Sequence, residues 1–214
     1  MTPPRSPTPT ARPQSRLLVG SLLLCLLTLA STLSQADIQT GQDALNRGDY
    51  ATAMREFQAA AKEGNAYAQV FIGTMYYQGE GVPQDYAQAA AWIRKAAEQG
   101  LAGAQYNLGQ LYRLGQGVPQ DYAQAASLYR KAAEQGYALA QTHLGLMYDD
   151  GKGVPQDYIL AYMWYNLAAA KGNKEAIKNR DLLGQALTPS QIAEGQRLTR
   201  EWLAAHPQAQ GNGQ

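Results

Sequence analysis

Two histidines, His143 and His206, and one cysteine, Cys25, are the whole supply of imidazole and thiol side chains in this chain of 214 residues. Cys25 sits inside an apolar run near the N-terminus, so the remainder can form neither a disulfide nor a thiolate site. The histidines lack the close spacing that puts two imidazoles on one helix face, and no metal or cofactor is expected. Acid–base or nucleophilic catalysis needs convergent carboxylates or a nucleophile beside a base. The acids look structural instead: Asp49, Asp85, Asp121 and Asp157 open helices, and Glu98 and Glu134 lie near helix ends. Asp149 and Asp150 are adjacent and therefore do not share a helix face. What remains is recognition chemistry. Tyr106, Asn107, Gln110 and Arg113 stand 1, 3 and 3 residues apart, one polar-aromatic stripe on a helix, and aromatic and arginine residues are the usual anchors of binding surfaces.

These side chains must be held by a scaffold, and the scaffold is repetitive. Gly79–Tyr86, Gly115–Tyr122 and Gly151–Tyr158 share the pattern G-x-G-V-P-Q-D-Y at intervals of 36 residues, and residues 85–120 match 121–156 at 24 of 36 positions. Gly48-Asp49-Tyr50 falls in register one period earlier. In each unit a first helix carries an apolar face, Tyr86, Ala89, Ile93 and Ala96 and then Tyr122, Ala125, Tyr129 and Ala132. Asp85 with Gln88, and Asp121 with Gln124, are spaced as N-cap and reach-back partner. Gly100 and Gly136 are placed to end the helix in the left-handed conformation. The second helix repeats Ala68, Ile72, Met75 and Tyr76, then Ala104, Leu108, Leu111 and Tyr112, then Ala140, Leu144, Met147 and Tyr148. Inside it stand Gly73, Gly109 and Gly145, although mid-helix glycine costs about 0.5–1 kcal/mol against alanine. Close approach of a neighbouring helix backbone is the expected reason. The Gly-x-Gly loops end helices and lack a Gly-Lys-Ser/Thr ending, so they read as turns and not as phosphate loops.

One hairpin cannot cover its own apolar face, so copies stack. The fold class is all-α, an α-solenoid of helix-turn-helix repeats with a C-terminal capping helix. The expected units are 49–84, 85–120, 121–156 and 157–187. A cap helix over 189–205 follows, opened by Thr188, Pro189 and Gln191 as N-cap, first-turn proline and capping-box partner. Residues 206–214 read as a flexible tail.

With 45% hydrophobic and 16% charged residues the chain has material for one folded domain. Residues 1–36 read as a signal peptide: Arg5, Arg12 and Arg16 precede an apolar run, Leu17–Leu33, and the small residues Ser34 and Ala36. The competing reading, an uncleaved inner-membrane anchor, is disfavoured because 17 residues fall short of the roughly 20 that usually span a bilayer. Beyond residue 36, 15 basic residues face 17 acidic ones without blocks of like charge, which gives no footprint for nucleic acid or an acidic lipid surface. The expected location is therefore outside the cytoplasm, periplasmic or secreted, with no membrane span after cleavage.

The 36-residue unit resembles the Sel1-like repeat, a relative of the tetratricopeptide repeat. The resemblance runs over roughly residues 41–205 and is carried by Ala102–Ala125 and by the Lys131–Gly136 ending. It implies a right-handed α-solenoid used as an interaction scaffold, and exported members of the family often act in the cell envelope. Cysteine-rich members linked to β-lactam binding have disulfide-spaced cysteines that this sequence lacks.

Positions constant between units are explained by stacking, and positions that change are free to serve a partner. On the second helices these are Val70, Tyr106 and Thr142; Phe71, Asn107 and His143; Thr74, Gln110 and Leu146; and Tyr77, Arg113 and Asp149. Val70, Phe71, Thr74, Tyr77, Tyr106, Asn107, Gln110, Arg113, Thr142, His143 and Asp149 form the candidate partner-binding set. Trp92 and Trp164 are assigned to packing. The expected function is a non-catalytic exported scaffold or adaptor that binds a protein or peptide in the solenoid groove. The alternatives are an enzyme or small-ligand binder acting on envelope substrates, and self-association through the solenoid ends.

Overall fold

A computed structural model of the protein describes residues 38–210; the expected signal peptide and the last four residues of the expected tail lie outside the described residues. Every described element is helical. α1 (residues 38–46) is followed by α2 (Tyr50–Lys62), α3 (Ala66–Gln78), α4 (Tyr86–Glu98), α5 (Ala102–Leu114), α6 (Tyr122–Glu134), α7 (Ala138–Asp150), α8 (Tyr158–Ala170), α9 (Lys174–Ala186) and α10 (Pro189–Ala205). A 3-10 turn, Pro207–Gln210, ends the described chain. The repeats stack as an α-solenoid, as the periodicity requires.

Local chemistry sets the helix starts. The Asp85 carboxylate accepts from the N–H groups of Ala87 and Gln88 at 2.9 and 3.0 Å, and Asp121 and Asp157 repeat the arrangement. Each such cap contributes about 1 kcal/mol. The seven-residue loops are stapled by a glutamine whose purpose the repeat alone did not reveal. Gln84 donates to the Tyr77 carbonyl at 2.8 Å, Gln120 to that of Arg113 and Gln156 to that of Asp149, tying each loop to the helix it leaves. Gly117 has φ +69°, and a Cβ there would lie 1.9 Å from the Tyr86 carbonyl oxygen. The loop after α5 is thus seated on the start of α4.

The core is a set of alanine columns with larger side chains between them. Ala89, Ala96, Ala125, Ala132, Ala161 and Ala168 are all fully buried. Packing is most extensive across the long loops, α3 on α4, α5 on α6 and α7 on α8. The helix glycines explain this, with one correction to the expectation. A Cβ on Gly73, Gly109 or Gly145 would meet first a side chain of the following helix, at 2.6–2.7 Å: Ile93, Tyr129 and Tyr165 respectively. Helix backbone lies further off, the Ala89 carbonyl at 3.2 Å from the Gly73 position and the Ala125 carbonyl at 3.4 Å from that of Gly109.

A glutamine ladder links successive units. Gln99 donates to Gln69 at 2.9 Å and Gln135 to Gln105 at 2.8 Å. One period later the donor is Lys171, and the Gln141 Oε1 it would serve is buried without a partner among the described residues. Lys171 is engaged elsewhere: its Nζ donates to the carbonyls of Gly136 and Ala209 at 2.6 and 2.5 Å. Ala209 is fully buried, and His206 stacks on Trp202 at 4.4 Å. Contrary to expectation, a flexible tail does not begin at His206, because residues 206–209 fold back onto the last repeat.

The stack ends where charge replaces apolar residues. Arg180 and Asp181, in columns held by Leu144 and Gly145 one unit earlier, pair with each other at 2.7 Å at the surface. α10 closes the end by packing on α8, where Gly195 lets the Tyr162 ring approach to 2.8 Å of its Cβ position. Its start carries the expected capping box between Thr188 and Gln191. Trp164 is buried and meets Trp202 edge to face, whereas Trp92 is half-buried with the Lys95 ammonium 3.9 Å from its ring centre.

Candidate recognition face

Three helices, α3, α5 and α7, carry the candidate set, and the structure divides it. Thr142 is fully buried and donates to the Ala138 carbonyl, so it is withdrawn from the face. Phe71 stacks on Phe57 at 4.6 Å against the first core cluster and serves packing. Val70 packs against the cluster between α4 and α5. Asp149 accepts from the Tyr165 hydroxyl at 3.3 Å, and burial holds its carboxyl above the usual carboxylate range.

The others meet around Gln110. Its Oε1 accepts from Tyr129 Oη at 2.5 Å and from Arg113 Nε at 2.8 Å, while its Nε2 donates to Tyr106 Oη at 3.0 Å and lies 3.4 Å from His143 Nε2. The Tyr106 ring is 5.7, 5.4 and 5.2 Å from Tyr129, Tyr137 and His143. One amide therefore joins α5, α6 and α7 and sets the direction of the Arg113 guanidinium. Burial raises the Tyr129 and Tyr106 phenols, keeping them neutral donors. Burial also lowers His143, against opposing influence from the Leu139 carbonyl and Glu175. In the neighbouring units Thr74 and Leu146 occupy the Gln110 column, so this hub belongs to the middle repeat.

Two clefts border the hub, and a third lies over the start of α5. The first, about 290 Å³, lies between α3 and α5; Thr74, Tyr77, Asn107 and Gln110 line it together with Ile93, Leu111, Leu114 and Gln116. Tyr77 donates to Gln116 at 3.1 Å across its end. The second, about 300 Å³, lies beside α7 and is bordered by Arg113, His143, Asp150, Lys152 and Glu175. The third, about 650 Å³, runs over the start of α5 past Tyr67, Val70, Gly103, Asn107 and Tyr137.

Sequence reasoning missed Tyr129, filed as a packing residue although its hydroxyl completes the hub, and Gly103. One period apart stand Tyr67, Gly103 and Leu139, and the flanking pair are 60% and 39% exposed. A Cβ on Gly103 would meet nothing within 4 Å. Extending the column comparison to these positions would have exposed the gap.

Among the described residues no three His, Cys, Asp or Glu side chains converge. What the face offers is apolar burial, hydrogen-bonding groups, the oriented Arg113 cation and, in the cleft beside α7, Glu175 and the Asp150–Lys152 pair. No described helix is long and apolar enough to cross a membrane.

Comparison with known proteins agrees with this architecture. No curated protein matches the chain. Among solved structures, a Sel1 repeat protein from Oxalobacter formigenes is 39% identical with a TM-score of 0.56, covering 59% of this chain and 96% of that one. The protein c5321, described as a protective antigen of uropathogenic Escherichia coli strains displaying an SLR fold, is 29% identical with a TM-score of 0.58. That match covers 82% of this chain and 47% of c5321, so the chain spans about half of that relative's length. The family model of the Sel1 repeat matches residues 66–101, 102–137 and 138–173, with units that begin one helix later than the windows drawn from the Asp-Tyr positions. These are the pairs whose helices pack most extensively, and on that match the chain belongs to the Sel1 repeat family.

Proposed function

We propose that the protein is a non-catalytic, exported scaffold of the cell envelope that binds a protein or peptide partner on the face of α3, α5 and α7. Sel1 repeats generally mediate protein–protein interaction, which supports the scaffold part of this reading. The observation that carries it is the division of labour within the repeat. Alanine columns, aspartate caps and loop staples recur in the three units from 49 to 156, whereas side chains that border the clefts change from unit to unit. Export is supported by the basic N-terminal segment and the apolar run Leu17–Leu33, and the description of c5321 as a protective antigen is in keeping with it.

The test is a pull-down from envelope extract read by mass spectrometry, with wild-type protein beside an Asn107→Ala/Arg113→Ala variant. Tyr106→Ala is unsuitable, because that ring packs on three others and its loss would loosen the hub. A partner enriched by wild type and lost with a variant of unchanged melting establishes the scaffold and its face. Enrichment of nothing, or of the same proteins by both, overturns the proposal.

A further inference from the structure

The cleft beside α7 gathers charges that the repeat does not explain. Arg113, Asp150, Lys152 and Glu175 line it, together with His143 and an apolar wall of Tyr122, Leu146 and Met147. One period before and after Arg113 stand Tyr77 and Asp149, and one period before Lys152 stands Gln116. Glu175 occupies the column of Tyr67, Gly103 and Leu139. Stacking accepts any of these side chains, so the charges are particular to this cleft.

Two of the four are already matched, since Lys152 Nζ donates to Asp150 at 2.9 Å. Arg113 and Glu175 are not. Arg113 is half-buried and donates through Nε to Gln110, and no carboxylate of a described residue comes within ion-pairing distance of it. Glu175 is exposed and pairs with no cation among the described residues. An acid in the first turn of α9 is favoured by the helix dipole whatever it faces; the helix end does not require it to share a cleft with an unpaired arginine. Both act on the His143 ring of the same cleft, where burial lowers the imidazole, Glu175 raises it and Arg113 lowers it further. One cation and one anion thus line a single cleft without closing on each other, and the lining as a whole is neutral. A ligand of one charge sign would meet one of the two as a repulsion, whereas a ligand carrying a carboxylate and an ammonium matches both. The volume, about 300 Å³, lies at the small end of the range for small-molecule sites, roughly 300–1,000 Å³.

We propose that the cleft beside α7 binds a small zwitterion, an amino acid or a short peptide with both ends free, its carboxylate on the Arg113 guanidinium, its ammonium on Glu175 and an apolar side chain against Leu146 and Met147. The Gln110 amide holds the guanidinium before binding, so the carboxylate meets a donor already oriented. This goes beyond the scaffold reading and does not depend on it, because Glu175 has no part in that reading.

The probes are leucine and the dipeptide alanyl-leucine, each also in N-acetylated and C-amidated form, titrated into the protein by isothermal calorimetry. Blocking either charge is expected to weaken binding about ten-fold or more. Glu175→Gln is expected to bind the free and acetylated forms alike, and Arg113→Gln the free and amidated forms alike. Glu175 is exposed and outside the Gln110 hub, so its variant keeps the test open should Arg113→Gln disturb the hub. Tighter binding of leucine assigns a free amino acid and tighter binding of the dipeptide a short peptide, and either supports the site. No binding of either probe, blocked forms bound as tightly as free ones, or a folded Glu175→Gln protein that still prefers the free form overturns it. Protein that captures an envelope partner but binds neither probe removes this site and leaves the scaffold reading, and protein that binds a probe but captures nothing does the reverse.

Discussion

Gly109→Ala and Gly103→Ala make the same chemical change six residues apart on one helix, and the structure assigns them opposite outcomes. A Cβ at Gly109 would lie 2.7 Å from Tyr129 Cε1 and 2.9 Å from its Cδ1, where carbon pairs ordinarily rest at about 3.5–4.0 Å. The ring would have to retreat by about 1 Å. It has nowhere to go: Tyr129 is fully buried, its hydroxyl is held by Gln110, and Tyr106 and His143 lie against it. Overpacking of this kind costs about 1–3 kcal/mol, and replacing a helical glycine returns about 0.5–1 kcal/mol. The net expectation is a loss of about 1 kcal/mol, between about 0 and 2.5 kcal/mol. At Gly103 the new methyl meets nothing within 4 Å, so only the favourable part remains and the variant should match or exceed wild type by up to about 1 kcal/mol. For a chain of this size 1 kcal/mol corresponds to about 2–4 °C in Tm. Urea and thermal unfolding followed by far-UV circular dichroism measure both. Repeat proteins can unfold unit by unit, so each variant is compared with wild type at the same midpoint. A Gly109→Ala protein more stable than wild type, or two variants that shift together, would refute the account of the helix glycines.

Other contacts give further expectations. His143 is lowered by burial, so the unfolded chain takes up its proton more readily; stability is reduced below about pH 6.5 and gained as pH rises through it. Urea midpoints between about pH 5.5 and 8 should show that rise in wild type and a smaller one in His143→Asn. Asp121→Ala removes the acceptor for two N–H groups at the start of α6 and should cost about 1 kcal/mol, with Asp121→Asn retaining most of it, in equilibrium unfolding. Truncation after Ala205 removes the Lys171–Ala209 bond and the His206–Trp202 stack. It should lower stability by about 1–2 kcal/mol and increase hydrogen exchange near Gly136, whereas unchanged exchange there would show that the turn is not docked.

Much of this molecule is written locally and then repeated. Asp85 caps α4 because a carboxylate one residue ahead of a helix can reach two free N–H groups, and any sequence with that spacing carries the information. Period, helix faces, loop ends and closing capping box were legible for the same reason. The binding face was legible only as a list of changing columns. Thr142 and Tyr106 occupy the same column, yet one is fully buried and the other half-exposed at the cleft between α3 and α5. Tyr129 shares its column with Ile93 and looks like packing until its hydroxyl meets Gln110 from another helix.

The amino-acid sequence by itself determined the solenoid, because a 36-residue pattern of caps, turns and apolar faces leaves stacking as the way to bury what each hairpin exposes. Only the tertiary structure decided which variable residues are surface and which are filler, where one amide gathers three helices, and where the missing side chain of Gly103 leaves open space. Those outcomes depend on distances between residues 19–38 positions apart, such as Tyr129 to Gln110 and Lys171 to Ala209. Helical periodicity specifies the direction a side chain takes from its own axis, whereas the neighbour it meets is set by how the next helix packs.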